Sequence, residues 1–586
     1  MRAWGAVVIA GLVLAGCHDV DRLRSVFDPE PASPLTPPPP EPGVEPPPTP
    51  PLPSPEPEPE VPRPRETTPT PVSDGLAPPK PSLGRRDLGP APGDQLLRGL
   101  IALPIRDEAA LEATLRDMYD PASLRFRRYL TVAEWTARHA PPEEDVREVS
   151  EWLESQGLQV ARVATNRLLL QFTGTVAQFN AAFGAELRLV ERPSAQAGGG
   201  DPHQTLGLTQ PLNVPRFIAE RIASVVAADL AVSTTETLPG ELPSPPPVLP
   251  SPLDAALTPQ QLAHAYNLDA LHTRGFRGQG VRLGIVVGAE FRRQDLEDFW
   301  TMFGTPRALP RVVRTMEAPV TRYREVVLNT QWAGAMAPEA ELILYMGPDA
   351  RITSILYTFN EAVGRGEVSV ISSSFARRED GEPRAVHEAY ARSSMMGAAL
   401  GISVVVAAGN SGGVDTPASS PYATSVGGTE LVMDGLQRVR EDAWYYSGSG
   451  VSRTFPTPWW QQGLHPPSYW GGPSGLRGMR ATSDLALNGG TSYWFTFVGV
   501  TKPNTGTSFA APTFAGMLAS LNSARAAQGK PPVGWLNAHL YTVPAVRQSF
   551  RDITTGGTSQ YPAGPGWDFP TGWGAPDMEG LLRTLP

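Results

Sequence analysis

At residues 506–512 the sequence reads GTSFAAP, and the apolar run TFAGMLA follows at residues 513–519. This pattern predicts a tight glycine turn that delivers Ser508 to the start of a buried helix. A serine there exposes its hydroxyl, and its backbone N–H is among the unpaired donors of the first helical turn. It can therefore attack a carbonyl and help to hold the resulting oxyanion. The alternative is that Thr507 or Ser508 only caps the helix, as such residues commonly do.

The residues ahead of this turn alternate between short apolar runs and longer helical stretches. Largely apolar strands suit a parallel sheet that is covered on both faces. The alternation predicts an α/β doubly wound domain whose active site lies at the carboxyl ends of the strands. The predicted strands are 281–287, 341–345, 368–373 and 402–408, and helices are predicted at 354–363 and 386–399.

Two further segments of this domain contain candidate catalytic residues. Glu325 and Asn329 are four residues apart in a predicted helix and so point the same way. The strand at 402–408 ends in a glycine turn that presents Asn410. With Ser508, these segments can supply the nucleophile, the base and the oxyanion donor that a peptidase needs. Taken singly, Glu325 would be a solvated helix residue and Asn410 a turn former.

The first 93 residues do not have the composition of a globular domain. The chain has 65 prolines, and they crowd residues 28–82, where such composition cannot bury a core. We expect an extended tether over residues 18–93. The net charge of −10, with no basic block to offset it, argues against nucleic acid as a partner.

The N-terminus has the features of an export signal. An apolar run at residues 6–15 is too short for a mature membrane span and ends in Leu14-Ala15-Gly16-Cys17. This ending resembles the bacterial lipobox, in which the cysteine is lipidated, and Cys17 is the only cysteine of the chain. The resemblance implies a signal peptide at residues 1–17 and an exported protein that is either lipid-anchored in the bacterial cell envelope, with the outer membrane as the expected site, or extracellular. An ordinary cleaved signal peptide or an inner-membrane anchor is the alternative.

Residues 94–230 form a first globular unit with an α+β pattern. Its sequence resembles the activation prodomain of the kumamolisin-type sedolisins, which are serine-carboxyl peptidases. The resemblance implies that this unit folds with, and covers, the peptidase domain that follows. A second Pro-rich segment at residues 231–257 is predicted to be an exposed linker that contains the processing site. The stretches that carry the resemblance include DPAS at 120–123, WLESQGL at 152–158 and FTGTVAQF at 172–179.

The resemblance to sedolisins continues over residues 258–586. It rests on the serine turn together with PASSPY at 417–422, VGGT at 426–429, SGSGVS at 447–452 and GWLN at 534–537. It implies that Ser508 is the nucleophile and Glu325 its general base. The family has aspartate at the positions of Asn329 and Asn410, so the chain departs from the family twice.

These two departures have different expected effects. Asn410 offers an N–H donor at any pH, so it keeps the oxyanion function and removes the need for acid. Asn329 is expected to donate a hydrogen bond to the ionised Glu325, which would lower the pKa of the carboxyl and weaken it as a base. The sequence therefore leaves two functions open: an exported serine-type endopeptidase made as a precursor, and an impaired pseudopeptidase that acts as a cell-surface binding or scaffold protein.

Histidine does not offer a replacement base. His387 falls on a predicted helix away from the strand ends, and the first strand ends in Glu290 without the aspartate that would orient a histidine. A Ser-His-Asp triad is therefore not expected.

The C-terminal region matches the calcium loop of the same family. The resemblance implies one structural Ca²⁺ bound by the carboxylates of Asp552 and Asp568 and by the carbonyls of Ile553, Gly564 and Gly566. Calcium prefers six or more oxygen ligands, and glycines allow carbonyls to turn inward. The alternative is that the two aspartates only organise turns. The expected partners are thus a peptide or protein substrate, the chain's own prodomain and the membrane.

Overall fold

The computed structural model describes residues 66–72, 86–192, 203–208, 210–230, 256–317, 324–464 and 478–586. Cys17, most of the Pro-rich tether and residues 231–255 of the linker lie outside the described residues. Within the described part, no helix has both the length and the apolar character needed to cross a membrane. The described residues between 66 and 586 belong to one compact unit.

The N-terminal part of this unit has the expected α+β organisation. Its main sheet has four antiparallel strands in the order β4-β5-β3-β9, and a smaller sheet has the order β2-β6-β7. The elements are β1 (Pro69–Pro71), β2 (Arg86–Pro90), β3 (Leu96–Ala102), α1 (Glu108–Tyr119), α2 (Val132–His139), α3 (Glu143–Ser155), β4 (Gln159–Val163), β5 (Leu169–Thr175), α4 (Val176–Phe183), β6 (Leu187–Arg192), β7 (His203–Leu208), β8 (Asn213–Pro215), α5 (Arg216–Ala219) and β9 (Ser224–Leu230).

Local sequence explains why these elements begin and end where they do. Helix α4 starts at a capping box in which the Thr175 hydroxyl and the Gln178 side chain bond each other's backbone N–H groups, and it ends at Gly184 in the left-handed conformation. Helix α3 buries Val149 and Leu153 against this sheet, as its apolar spacing predicts.

The C-terminal part is built on an eight-stranded sheet. Its order is β11-β12-β10-β13-β15-β17-β18, with β21 also paired to β17, and every pairing except β17 with β18 is parallel. The prediction of an α/β parallel-sheet domain is confirmed. The elements up to the end of this sheet are α6 (Pro259–Ala265), α7 (Asp269–Thr273), β10 (Arg282–Val287), α8 (Arg293–Met302), β11 (Arg311–Arg314), α9 (Arg324–Met336), β12 (Glu341–Met346), α10 (Ile352–Gly364), β13 (Val370–Ser373), β14 (Arg377–Arg378), α11 (Arg384–Ala399), β15 (Ser403–Ala407), β16 (Asp415–Thr416), β17 (Thr424–Asp434), β18 (Gln437–Ala443), β19 (Gly450–Pro456), β20 (Met479–Thr482) and β21 (Leu485–Asn488).

A long helix, α12 (Thr507–Ala527), lies in the core of this domain and packs on α9 and on the parallel strands. A side chain at Gly516 would overlap the carbonyl oxygen of Ala333, so glycine allows the two helices to approach closely. This packing brings the first turns of α9 and α12 together. The remaining elements are β22 (Tyr493–Phe497), β23 (Val500–Asn504), α13 (Leu536–Thr542), α14 (Pro544–Arg547), β24 (Phe550–Arg551), β25 (Ala575–Pro576) and α15 (Met578–Thr584).

The main N-terminal sheet docks on the helix pair α10 and α11. The carboxylate of Asp229, at the end of β9, accepts hydrogen bonds from the backbone N–H and the hydroxyl of Thr353 at 3.1 and 2.9 Å. Thr353 lies in the first turn of α10, whose own preceding residue provides no side-chain cap. The N-terminal unit therefore caps a helix of the domain that it covers. Buried Asn166 and Asn360 add a reciprocal pair of hydrogen bonds, each 2.9 Å long.

Candidate active site

Ser508 is the second residue of α12 and is half-buried. Gly506 precedes the helix with φ 142°, a conformation that favours glycine, and no side chain caps this helix end. The interpretation of Thr507 or Ser508 as a mere cap is therefore wrong. The Ser508 N–H belongs to the first turn, where backbone donors have no acceptor within the helix.

Asn410 lies directly beside this turn, after the end of β15. Its Oδ1 accepts hydrogen bonds from both the N–H and the hydroxyl of Thr507, each at 2.8 Å. The same hydroxyl accepts the N–H of Gly409 at 3.1 Å. These contacts fix the orientation of the amide, because only its oxygen can accept, and they leave Nδ2 as a donor.

The Nδ2 atom of Asn410 and the backbone nitrogen of Ser508 flank a common space. They lie 3.3 and 3.7 Å from the point that a Cβ would occupy at Gly506. A side chain there would fill the space between the two donors, which gives a second reason for glycine. The arrangement can hold a developing oxyanion.

Glu325 lies in the first turn of α9, and its Oε1 is buried without a hydrogen-bond partner among the described residues. Burial raises the pKa of its carboxyl, and the nearby Ser508 hydroxyl and the Arg324 guanidinium oppose that increase only in part. A carboxylate with a raised pKa is a better proton acceptor near neutral pH than an ordinary glutamate.

Asn329 does not make the contact expected from the sequence. Its Nδ2 donates to the main-chain carbonyl of Glu325 at 2.7 Å, and its Oδ1 accepts the hydroxyl of Ser374 at 2.6 Å. The expectation that this amide lowers the pKa of the Glu325 carboxyl is therefore wrong. The side chain is only 1% exposed and bonds to the backbone of Glu325, not to its carboxyl.

Two residues near the site were not found from the sequence. Ser374 follows β13, and its hydroxyl lies 3.3 Å from the carbonyl oxygen of Ser508 in addition to its contact with Asn329. Asp415 packs on Gly409, where a side chain would overlap its Oδ2. The only sequence signal for either is its position shortly after a parallel strand, at the edge where active sites form.

Asp415 is 5% exposed, and its Oδ1 has no hydrogen-bond partner within the described ranges. Burial raises its pKa to about 7, while Arg378 opposes the increase and Asp380 and Glu379 add to it. A titratable carboxyl thus lies against the loop that presents the oxyanion donor.

The histidines that the structure describes do not form a triad with Ser508. His387 lies on α11 as predicted, is buried, and places Nδ1 2.7 Å from the hydroxyl of Thr454. Among the described residues, no histidine forms a hydrogen bond with Ser508 or Glu325. His465 lies outside the described residues.

The two predicted calcium-binding aspartates lie beside two of the predicted glycine ligands, and the glycines meet them through their N–H groups. The N–H of Gly564 donates to Asp568 Oδ2 at 2.9 Å, and the N–H of Gly566 donates to Asp552 Oδ2 at 2.7 Å. Asp568 is fully buried, and Asp552 is close enough to raise its pKa. No basic side chain pairs with Asp568 in the described part of the chain. Two adjacent carboxylates without a basic partner, one of them buried, fit a bound cation. Asp568 also accepts the N–H and hydroxyl of Thr571, each at 2.9 Å, which is the contact that a turn-organising aspartate makes.

Comparisons with known proteins agree with this architecture. Residues 84–229 match the Pro-kumamolisin activation domain, and residues 326–574 match the Subtilase family. Kumamolisin from Bacillus sp. (strain MN-32) is 31% identical over 544 residues, which cover 85% of this chain and 93% of that protein. Tripeptidyl-peptidase 1 from Rattus norvegicus is 28% identical over 581 residues, which cover 88% of this chain and 96% of that protein.

A solved structure of Pseudomonas sedolisin, a serine-carboxyl proteinase complexed with two molecules of pseudo-iodotyrostatin, aligns with a TM-score of 0.46 and 24% identity over 56% of this chain and 98% of its own. The sequence relationship to kumamolisin extends over both the N-terminal unit and the parallel-sheet domain. The chain therefore belongs to the sedolisin family of serine-carboxyl peptidases and carries a pro-kumamolisin-type activation domain.

Proposed function

We propose that this chain is an active serine-type endopeptidase, exported and made as a precursor, in which Ser508 is the nucleophile and Glu325 the general base. The observation that carries the proposal is the arrangement around Gly506, where Ser508 lies beside the half-buried Glu325, whose Oε1 is buried, and two N–H donors flank one space. Nucleophile, base and oxyanion donors are the complete set for acyl transfer.

The proposed reaction has two halves. The Ser508 Oγ attacks the peptide carbonyl while Glu325 takes its proton, and the oxyanion is held by Nδ2 of Asn410 and the N–H of Ser508. Glu325 then gives this proton to the departing amine as the peptide bond breaks, which leaves an acyl-enzyme. In the second half, water attacks the ester, Glu325 accepts the water proton and returns it to Ser508, and the acid product leaves.

The electrostatics favour activity at mildly acidic to neutral pH. Asn410 donates at any pH, whereas a carboxyl in its place would have to be protonated. Glu325 must be ionised to act as a base, and its buried position raises the pKa above which it is ionised. We therefore expect a less acidic optimum than a site with an aspartate at position 410 would have.

We also propose that Asp552 and Asp568, with the carbonyls of Ile553, Gly564 and Gly566, hold one structural Ca²⁺. When bound, the ion would neutralise the two carboxylates and tie the loop to the end of the domain. Its role would be stability, because the proposed chemistry at Ser508 requires no metal.

The remaining parts of the proposal concern location and processing. The sequence around Cys17 supports export and lipid attachment, and the Pro-rich linker at residues 231–257 supports cleavage between the activation domain and the peptidase domain. The precursor would thus be tethered at the cell envelope and would separate from its activation domain on maturation.

A pseudopeptidase that serves as a binding or scaffold protein is the second candidate. It is favoured by one observation: the amide of Asn329 cannot share a proton with Glu325 as a carboxyl could. Against it, Asn329 is occupied with the backbone and leaves the Glu325 carboxyl with a raised pKa.

The two candidate functions can be distinguished with purified protein that contains residues 18–586, and with its Ser508→Ala variant as the control. Self-cleavage within residues 231–257 that Ser508→Ala abolishes would establish the peptidase. A protein that stays intact from acid to neutral pH and cleaves no denatured substrate, and that behaves like Ser508→Ala, would establish the pseudopeptidase. Mass spectrometry of products from a long peptide identifies the mode: internal cuts indicate an endopeptidase, and serial release of tripeptides would contradict that part of the proposal.

A further inference from the structure

A chain of polar contacts connects the backbone of Glu325, the proposed base, to the backbone of Ser508, the proposed nucleophile. It runs from the carbonyl of Glu325 to Nδ2 of Asn329 at 2.7 Å, and from Oδ1 of Asn329 to the hydroxyl of Ser374 at 2.6 Å. Ser374 completes it through its 3.3 Å approach to the carbonyl of Ser508. The chain thereby joins the first turns of α9 and α12 through a residue at the end of β13.

The carbonyl of Glu325 sets which way the Asn329 amide faces, because a carbonyl can only accept and so must meet Nδ2. Oδ1 of Asn329 then faces Ser374, whose single hydroxyl proton goes mainly to it across the short 2.6 Å contact. Ser374 is thus the side-chain donor that holds the oxygen end of this amide in place. Because Asn329 is buried, loss of the donor would leave its oxygen without a hydrogen bond unless the amide moved.

We propose that Ser374 is a positioning residue of the proposed peptidase site: it locks Asn329, and through it holds Glu325 at the correct distance from Ser508. This inference rests on the proposed function. Positioning matters here because the reacting groups lie on two separate helices. A displacement of about 1 Å between such groups can reduce turnover about 100-fold.

The residue that directly precedes Ser374 in the sequence, Ser373, provides a matched control. Ser372 and Ser373 are also buried serines of the same segment, but their hydroxyls have no hydrogen-bond partner within the described residues. Ser373→Ala therefore makes the same chemical change without breaking the connection between α9 and α12.

The kinetic experiment compares Ser374→Ala, Ser374→Thr and Ser373→Ala in the mature enzyme. Ser374→Ala should lower kcat about 10- to 100-fold with little change in KM, Ser374→Thr should recover part of the loss, and Ser373→Ala should stay within about twofold of the parent. The acid limb of the pH profile of kcat should also move to lower pH in Ser374→Ala, because a released Glu325 carboxyl becomes more hydrated and its pKa falls.

A purely structural role would not move that acid limb. The inference is overturned if Ser374→Ala matches Ser373→Ala in kcat and in the pH profile, or if both variants lose activity equally. Hydrogen exchange provides a second measurement on the Ser508→Ala precursor, which needs no catalysis. There, Ser374→Ala should speed amide exchange in residues 324–336 and 507–515, and Ser373→Ala should not.

The two proposals can fail separately. An inactive parent enzyme with the expected exchange pattern would refute the proposed function and keep the connection made by Ser374. An active enzyme in which Ser374→Ala changes neither kinetics nor exchange would refute the role of Ser374 and keep the proposed function.

Discussion

The side-chain amide of Asn329 bonds to the main-chain carbonyl of Glu325, at 2.7 Å, and not to its carboxyl. The substitution that looked most damaging in the sequence therefore acts on the backbone of the base. It fixes the first turn of α9 and leaves the carboxyl free for the role of general base that we propose for it. The departure from the family's acid pair is compatible with catalysis by a single carboxylate.

Asn329→Asp should make activity dependent on acid. An ionised aspartate would place a carboxylate oxygen against the carbonyl of Glu325, and only a protonated one can donate as the amide does. We expect kcat/KM to remain within a few-fold of the parent at pH 4 and to fall about 10-fold or more near pH 7, since two facing acceptors cost about 1–3 kcal/mol. The measurement is the pH profile of both enzymes. Equal activity at pH 7 would contradict this account of Asn329.

Thr507→Val should damage the oxyanion site while keeping the shape of the side chain. The valine removes the hydroxyl that donates to Asn410 Oδ1 and accepts from Gly409. An amide that can rotate presents its donor only part of the time, so kcat should fall about 10-fold with KM nearly unchanged. Thr507→Ser keeps the hydroxyl and serves as the control. If the valine variant is as active as the serine variant, the hydroxyl of Thr507 is not needed, and its backbone N–H suffices to orient Asn410.

Asp415 should reduce activity above neutral pH. Its carboxyl packs beside the oxyanion loop and ionises near pH 7, and Arg378 offsets only part of the negative charge. A nearby negative charge worth about 1 kcal/mol in the transition state would slow the reaction about fivefold. We expect kcat to fall as pH rises through about 7, and Asp415→Asn to abolish that decline. Asp434→Asn, at an exposed position, is the control. If the decline of kcat above pH 7 is the same in Asp415→Asn as in the parent, the prediction is wrong.

The fold was largely predictable from the sequence because its signals are local. Strands β10 and β15 are apolar on both faces, which is typical of a covered parallel sheet, and α4 carries its start and stop signals in Thr175 and Gly184. Asn410 and Ser508 could be paired in advance, since one follows a parallel strand and the other begins the helix behind a glycine turn.

The connections of the site could not be predicted in the same way. Ser372, Ser373 and Ser374 are chemically identical in the sequence, and only packing against α9 and α12 gives the last of them two partners. The direction of the Asn329 amide and the position of Asp415 on Gly409 likewise depend on atoms that meet from distant parts of the chain.

Calcium removal should destabilise the peptidase domain. A buried Asp568 beside Asp552 would be left without a neutralising cation. With calcium at 100 times its Kd, binding stabilises the fold by about 2.7 kcal/mol, so EGTA should lower the Tm of a domain of this size by about 4 °C. Calcium should restore the Tm and magnesium should not, because magnesium requires a tighter octahedral site. Asp568→Asn should have a Tm that EGTA does not change. A parent Tm insensitive to EGTA would contradict the assigned ligands.

The contact between the activation domain and the peptidase domain contains a histidine that cannot easily accept a proton. His539, on α13, is fully buried, and neither ring nitrogen has a hydrogen-bond partner among the described residues. Its ring packs on Tyr119 and Phe126 of the activation domain. Burial, followed by the charges of Arg127 and Arg525, holds the pKa of His539 well below its ordinary value.

Acid should therefore loosen the activation domain through His539. A histidine in the separated or unfolded chain ionises near pH 6.5, whereas the buried one stays neutral. The contribution of His539 is complete above about pH 6.5 and is lost as pH falls, at up to about 1.4 kcal/mol per pH unit. In the Ser508→Ala precursor, which cannot cleave itself, we expect the Tm to fall from pH 7 to pH 5 and His539→Leu to flatten that decline. His264→Gln, at an exposed histidine, should decline like the parent. If His539→Leu loses as much stability between these pH values as His264→Gln does, groups other than His539 control the response to acid.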